Sequence, residues 1–415
     1  MPDGNSGAPV AAPGAGPRRA TVAFIFITVM LDMLSLGMIL PVLPKLVENF
    51  MGGDTARAAE IFGIFGTAWA LMQFLFSPVI GALSDAYGRR PVVLISNFGL
   101  GLDYVLMALA PNLWWLFAGR VISGITAANV STGFAYITDV TPPEQRAKSF
   151  GLIGAAFGVG FILGPALGGL FGAIDPRLPF WIAAVLSLVN AMYGVFVLPE
   201  SLPPERRMPF SLRRANPIGS LVLLRSHPEL MGLACAEFLA DVAHAVLPSV
   251  FVLYAGYRYH WDERMVGLTL AVVGVCSLIV QVGLVGPIVA RLGERRALAF
   301  ALCGGIVGFV VFGLAEIGPV FWIGIPIMAI WGLSDPASNG LMSRRVSASE
   351  QGQLQGAKAS IMGIANMIGP GVFTLTFAYS IEAGSVWHMP GAPFLLAAIL
   401  LCVSLTLVWH VTQER

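Results

Sequence analysis

The stretch CAEFLADVAHAV, Cys235 to Val246, places Glu237, Asp241 and His244 four and then three residues apart in an apolar run, so on a helix all three share one face. Two carboxylates and an imidazole so arranged can hold and pass a proton, or bind a cation. The alternative is a hydrogen-bonded cluster that merely fastens the helix, and His244 taken alone reads more readily as a satisfied core histidine than as a relay. Asp32 in VMLDMLSLG, Asp103 in GLGLDYVL and Arg120 in LWWLFAGRVISGITAA sit in equally apolar surroundings.

The elements that must position these groups follow from composition. Of 415 residues, 56% are hydrophobic and only 11% charged, with a mean hydropathy of +0.79, against roughly 25% charged residues in soluble domains. This composition belongs in a lipid bilayer, and a formal net charge of +1 argues against a nucleic-acid partner. Twelve apolar runs are long enough to cross the bilayer core: 20–42, 60–82, 92–110, 113–135, 149–172, 179–198, 229–254, 265–290, 298–316, 319–341, 356–380 and 393–411. Eighteen of the 24 Lys and Arg residues fall on the side of the termini, five on the other side, and Arg120 within a run. The positive-inside rule then makes both termini cytoplasmic.

The expected organisation is all-helical: an unstructured start (1–19), six helices (20–198), a polar central loop (199–227), six more helices (228–411) and a short tail (412–415). The halves echo each other at an offset near 205 residues. GALSDAYGRR from Gly81 aligns with GPIVARLGER from Gly286, Gly164-Pro165 with Gly369-Pro370, and the VLP triplet at Val42 with that at Val246. Arg120, Asp32 and Asp103 lie at similar depth, and an ionised residue at mid-membrane costs roughly 2.5 to 3.5 kcal/mol even on a lenient scale. Arg120 is therefore expected to pair with Asp32 or Asp103. Asp103 then has a structural reading beside the functional one, and Asp32 has one as the cap of a kink made with Pro41 and Pro44. Asp335 precedes Pro336 and is placed to satisfy backbone freed by it. Met30, Met33, Met38, Phe24 and Phe26 are either an adaptable ligand lining or ordinary packing. The four cysteines fall in spans and read as small packing residues.

The loop GALSDAYGRRPVV carries Gly81, Asp85, Gly88, Arg89 and Arg90 between spans two and three, and span five carries Gly160, Gly164, Gly168 and Gly172 at every fourth position, with Pro165 and Gly169. Such glycines permit very close helix contact. Together with LDMLSLGMILPVLPKL and GRVISGITAA, these strings resemble the major facilitator superfamily. Within it they are most similar to the twelve-helix drug:proton antiporters that export tetracycline. The resemblance implies two pseudo-symmetric six-helix halves around a midplane site, and a gating role for Asp85, which pairs with a neighbouring Arg or with the start of span eleven near Gly356. It also assigns function to Asp32, Asp103 and Gln281. It fails at Gly305 and Ser277, where the family carries an aspartate and a histidine, while Glu237, Asp241 and His244 fall where the family tends to be neutral.

These readings together imply a proton-coupled antiporter working as a monomer in a bacterial cytoplasmic membrane, with a small hydrophobic drug as substrate and the lipid bilayer as surroundings. The alternative is an exporter or symporter of an endogenous metabolite. No nucleophile triad, zinc spacing or phosphate loop speaks for an enzyme. No cofactor is called for; whether a divalent cation travels with the substrate is left open.

Overall fold

A computed structural model of the chain describes residues 19–126, 129–142, 145–211, 216, 219–226, 228–347, 350–382 and 388–413. Apart from Arg19, the segment expected to lack structure lies outside these residues. Every element among them is helical, as an apolar chain in lipid requires, because its backbone polar groups find no water partner there.

The first pass is α1 (Arg19–Ile39) continued by α2 (Leu43–Phe50). α3 (Thr55–Tyr87), α4 (Arg89–Ala108) and the pair α5 (Leu113–Thr126) and α6 (Asn129–Val140) make the second to fourth passes, and α7 (Arg146–Gly172) and α8 (Leu178–Val197) the fifth and sixth. The central segment carries the short α9 (Val222–Ser226). The seventh pass is α10 (Pro228–His244) with α11 (Val246–Tyr259). α12 (Glu263–Ile279) leads through a π-helical turn, Val280–Leu284, into α13 (Val285–Leu314). This 52-residue apolar stretch is about 78 Å long at helical rise, over twice the bilayer core, so it crosses twice. The turn is at Gly293, whose φ of 73° only glycine adopts freely. α14 (Gly318–Ala329), a 3-10 stretch Ile330–Leu333 and α15 (Ser334–Ser343) form the tenth pass, and α16 (Gln351–Ile381) and α17 (Ala392–Gln413) the last two.

The sequence repeat has a structural counterpart at its breaks. The first pass interrupts just before the proline-bearing triplet at Val42 and the seventh just before that at Val246. A β-carbon on Gly37 of α1 would stand 2.9 Å from Gly164 Cα of α7, and one on Gly369 of α16 would press on Ala245 between α10 and α11. The second and eighth passes, α3 and α12, are capped alike: the Asp54 carboxylate accepts from the Arg57 N–H at 3.1 Å, and that of Asp262 from the Met265 N–H at 2.8 Å.

One expectation changes: Cys235, Cys303 and Cys402 are exposed on the helix bundle rather than packed inside it, and only Cys276 is partly buried. Of the two readings of the methionines and phenylalanines, packing holds: Met38 is fully buried, and Met30, Met33 and Phe26 pack in a core cluster with Ile25 and Tyr136, while the Phe24 side chain lies outside the described residues.

Candidate functional site

In the first half three charges converge at mid-depth. Asp32 on α1, Asp103 on α4 and Arg120 on α5 are buried, at 7%, 1% and 7% exposure, and the charge of each reaches the buried Tyr104. Asp103 lies against the α5 backbone because Gly119 leaves room: a β-carbon there would stand 2.9 Å from Asp103 Oδ1. Arg120 feels the Asp103 charge but makes no ion pair among the described residues; one of its Nη atoms lies 3.7 Å from Met107 Sδ. Both Asp103 oxygens are buried without a hydrogen-bond partner. A carboxylate so placed is far from its usual solvation, and a proton or ligand would relieve the cost. Thr28 donates to Asn190 Oδ1 at 3.1 Å, tying α1 to α8 beside the cluster.

In the second half the face that carries Glu237, Asp241 and His244 turns toward α15 and α16. Glu237 Oε1 is 2.8 Å from Lys358 Nζ, and its Oε2 accepts from Ser338 Oγ at 3.2 Å. Lys358 also donates to Asn339 Oδ1 at 2.6 Å. Asp241 is half-buried and among the described residues makes no ion pair or hydrogen bond, within electrostatic reach of Glu237, Asp335 and Lys358. Asp335 is exposed in the first turn of α15. The His244 ring meets Trp331 of the 3-10 stretch with centroids 5.5 Å apart. Gln281, by contrast, sits in the π turn, exposed and near Gly332, with no hydrogen bond to the acids.

Lys358 is the residue that sequence reasoning missed. It was counted among the flanking charges of the terminal side. A usable signal existed: it lies seven residues into α16 and Glu237 nine into α10, both entering from the same side. Helices seven and eleven repeat the close pair one and five, so an acid and a base at matching depth were placed to meet.

The signature loop closes on its own half. Arg89 Nη1 pairs with Asp85 Oδ1 at 2.6 Å, and Arg89 Nε with Asp139 Oδ2 at 3.1 Å. Arg90 donates to the Val195 carbonyl at 2.6 Å. No contact from Asp85 to the start of α16 is present among the described residues. The N-terminus of α4 is capped from a distance: Glu200 Oε1 accepts from the N–H groups of Arg89, Ser201 and Leu202 at 2.8, 3.0 and 3.0 Å. Gly88, with φ of 106°, lets this carboxylate approach. Removing it strands three donors. Glu200→Ala is expected to raise the rate of tryptic cleavage at Arg206 and Arg207 in native protein about tenfold, as one lost charged hydrogen bond of about 1.5 to 3 kcal/mol implies; unchanged cleavage would show that Glu200 does not hold the loop.

Two pairs of helices carry most of the contact between the halves. Between α3 and α16, Gly63 opposes Thr374, Gly66 opposes Pro370 and Gly363 opposes Phe74. Between α7 and α12, Gly169 lies on Glu263 and Gly267, and Gly274 on Ile162. Lys45, paired with Glu48 at 2.9 Å, reaches Gly256 across the halves. All these contacts run from mid-depth to the side away from the termini. Gly81, Gly151, Gly154 and Gly352, nearer the termini, have no atom within 4 Å of a β-carbon position. Gly160, Gly164 and Gly168 instead bring α7 onto the α1 backbone, with Pro165 beside Gly37.

The model of the Major Facilitator Superfamily matches residues 25–370. The tetracycline resistance protein of class C from Escherichia coli is 39% identical over 381 residues, 91% of this chain and 93% of that protein. That of class G from Vibrio anguillarum is 36% identical, over 94% and 97% of the two chains. Among solved structures, the nucleoside transporter NupG superposes with a TM-score of 0.76 at 12% identity, over 95% of this chain and all of that one. The human organic anion transporter MFSD10 gives 0.69 at 24%, with the same coverage. Twelve membrane passes, paired glycine seams and a charged cluster at mid-depth in each half are thus held by a membrane transporter, not an enzyme: the chain belongs to the Major Facilitator Superfamily, alongside its tetracycline resistance proteins.

Proposed function

We propose that the protein exports a tetracycline-like, hydrophobic compound across a bacterial cytoplasmic membrane in exchange for protons, with both termini in the cytoplasm. The observation that carries this reading is the one-sided contact between the halves. Among the described residues the glycine contacts between the halves run from mid-depth outward, which supports a state closed on the side away from the termini, with the charged clusters of α1, α4 and α5 and of α10, α15 and α16 below that closure. Rocking about those seams would expose the same clusters to the opposite side, which is alternating access. Asp32, Asp103 and the Glu237 and Asp241 pair are the proton carriers in this scheme. A carboxylate that must be ionised to hold substrate and neutral to release it makes the two occupancies exclusive, and exclusive occupancy gives exchange.

The test is tetracycline uptake into inverted vesicles driven by a pH gradient. Asp32→Asn and Glu237→Gln are each expected to lower the uptake rate at least about tenfold, the effect of losing about 1.4 kcal/mol of coupling. Wild-type rates and an unchanged pH dependence in both variants would overturn the reading. The second half departs from the tetracycline proteins at Glu237, Asp241 and His244, and this favours a second reading, an exporter or symporter of an endogenous metabolite. Proton-coupled activity without tetracycline uptake would select it.

A further inference from the structure

The Glu237–Lys358 pair does more than neutralise a buried charge. Three carboxylates, Glu237, Asp241 and Asp335, interact electrostatically on this wall, and among the described residues Lys358 is the one ammonium with them. Only Glu237 is matched. Asp241, one turn along the same face, has no ion pair and no hydrogen bond among the described residues, and its environment is half-buried, where a carboxylate attracts a cation more strongly than in water. Beside it the face continues into His244 and Trp331. Trp331 is 7% exposed, and its indole N–H is a buried donor without a partner, which is costly unless a ligand acceptor meets it. An aromatic wall next to unmatched carboxylates is the pattern that takes an ammonium carried on a flat apolar body.

Lys358 has a second resting place. Its ammonium already donates to Asn339 Oδ1 at 2.6 Å, so leaving Glu237 does not strand it. Its four-carbon stem and freely turning donors allow that shift, where a planar guanidinium would hold both carboxylate oxygens.

We propose that Lys358 is a displaceable internal occupant of a subsite for the cationic group of the substrate. The Lys358 ammonium holds Glu237 while the site is empty; an ammonium on the substrate takes the Glu237 and Asp241 carboxylates, and its aromatic body lies against His244 and Trp331. This deepens the transport reading by naming a substrate class, amine-bearing flat amphiphiles, and rests on that reading for its place in a transport cycle.

Binding at equilibrium, without any proton gradient, tests the subsite apart from export. Purified full-length protein in nanodiscs is titrated with pyrenemethylammonium and with pyrenemethanol, two probes of one ring system that differ in charge, followed by fluorescence anisotropy. The wild type is expected to bind the ammonium about tenfold tighter than the alcohol, the value of one charge contact. Lys358→Met is expected to tighten the ammonium a further several-fold, Asp241→Asn to remove most of the preference, and none to move the alcohol. Lys358→Arg preserves the charge and the fold and is expected to weaken the ammonium, because its bidentate grip on Glu237 is harder to displace. Equal affinity for the two probes, or tighter ammonium binding by Lys358→Arg, would overturn the proposal even where tetracycline export is intact. Loss of export with the ammonium preference retained would sink the transport reading and leave the subsite standing.

Discussion

Leucine at Gly168 is expected to leave no folded protein in the membrane. A β-carbon at this position would meet the carbonyl oxygen of Met38 in near-bonding contact, and Met38 Cα and C at 2.7 and 2.8 Å. Those atoms are α1 backbone and cannot rotate away as a side chain would. Relief requires α1 and α7 to separate, and the same separation opens Gly164 against Gly37, Gly160 against Leu34 and Gly172 against Val42. Lipid supplies no hydrophobic drive to pull the helices back, because acyl chains are as apolar as leucine; close packing is what holds them. Overpacking a seam by one methyl already costs about 1 to 3 kcal/mol, and four branched carbons along a whole seam exceed what a protein stable by about 5 to 15 kcal/mol tolerates. The measurement is the monodisperse yield of a fluorescent fusion on size exclusion. Gly168→Ala is expected to lower it several-fold and Gly168→Leu to abolish it. Gly151→Leu, on the same helix where nothing lies within 4 Å, should leave it unchanged; a normal peak for Gly168→Leu would mean that the α1–α7 seam does not hold the half together.

What could be read from the chain follows from what hydropathy and spacing report. Lipid demands about 20 apolar residues per crossing, so the passes were legible, and prolines marked the breaks in the first and seventh because a missing N–H interrupts the helix ladder. The four-residue glycine spacing disclosed the α1–α7 seam for the same reason: one face of α7 must be smooth. Helix rotation and lateral order leave no such trace. Arg120 was expected to pair with Asp32 or Asp103 on depth alone, yet among the described residues it makes no ion pair: it feels the Asp103 charge while its guanidinium turns to Met107 Sδ. Lys358 was hidden by a charge count that treats every basic residue near a helix end as facing water. Glu200 was hidden because its partners are N–H groups, which carry no residue identity, and one is 111 positions away.

Gly169 stands one position from Gly168 and is expected to fail in a different way. A rotation of about 100° along the helix carries it from the α1 seam to the other half, where a β-carbon would meet the Glu263 carbonyl oxygen and stand 2.9 Å from Gly267 Cα. Gly267 is matched in turn, its own β-carbon position lying 2.9 Å from Gly169 Cα. This contact exists only while the halves are closed on the side away from the termini. Leucine at Gly169 therefore leaves each half folded and penalises one state of the cycle. A clash of about 3 kcal/mol shifts a two-state equilibrium by over about a hundredfold, enough to empty the state seen here. Spin labels in a background without native cysteines report the change. Labels at Glu60 and Glu316, both exposed on the side away from the termini, are expected to move apart in Gly169→Leu. Labels at Tyr87 and Arg344, exposed on the opposite side, are expected to approach, with normal yield and lost uptake. Unchanged distances in both pairs together with wild-type uptake would mean that the glycine contact does not set the gate. The adjacent glycines thus separate two requirements that one motif serves: Gly168 joins helices within a half, and Gly169 lets the halves meet.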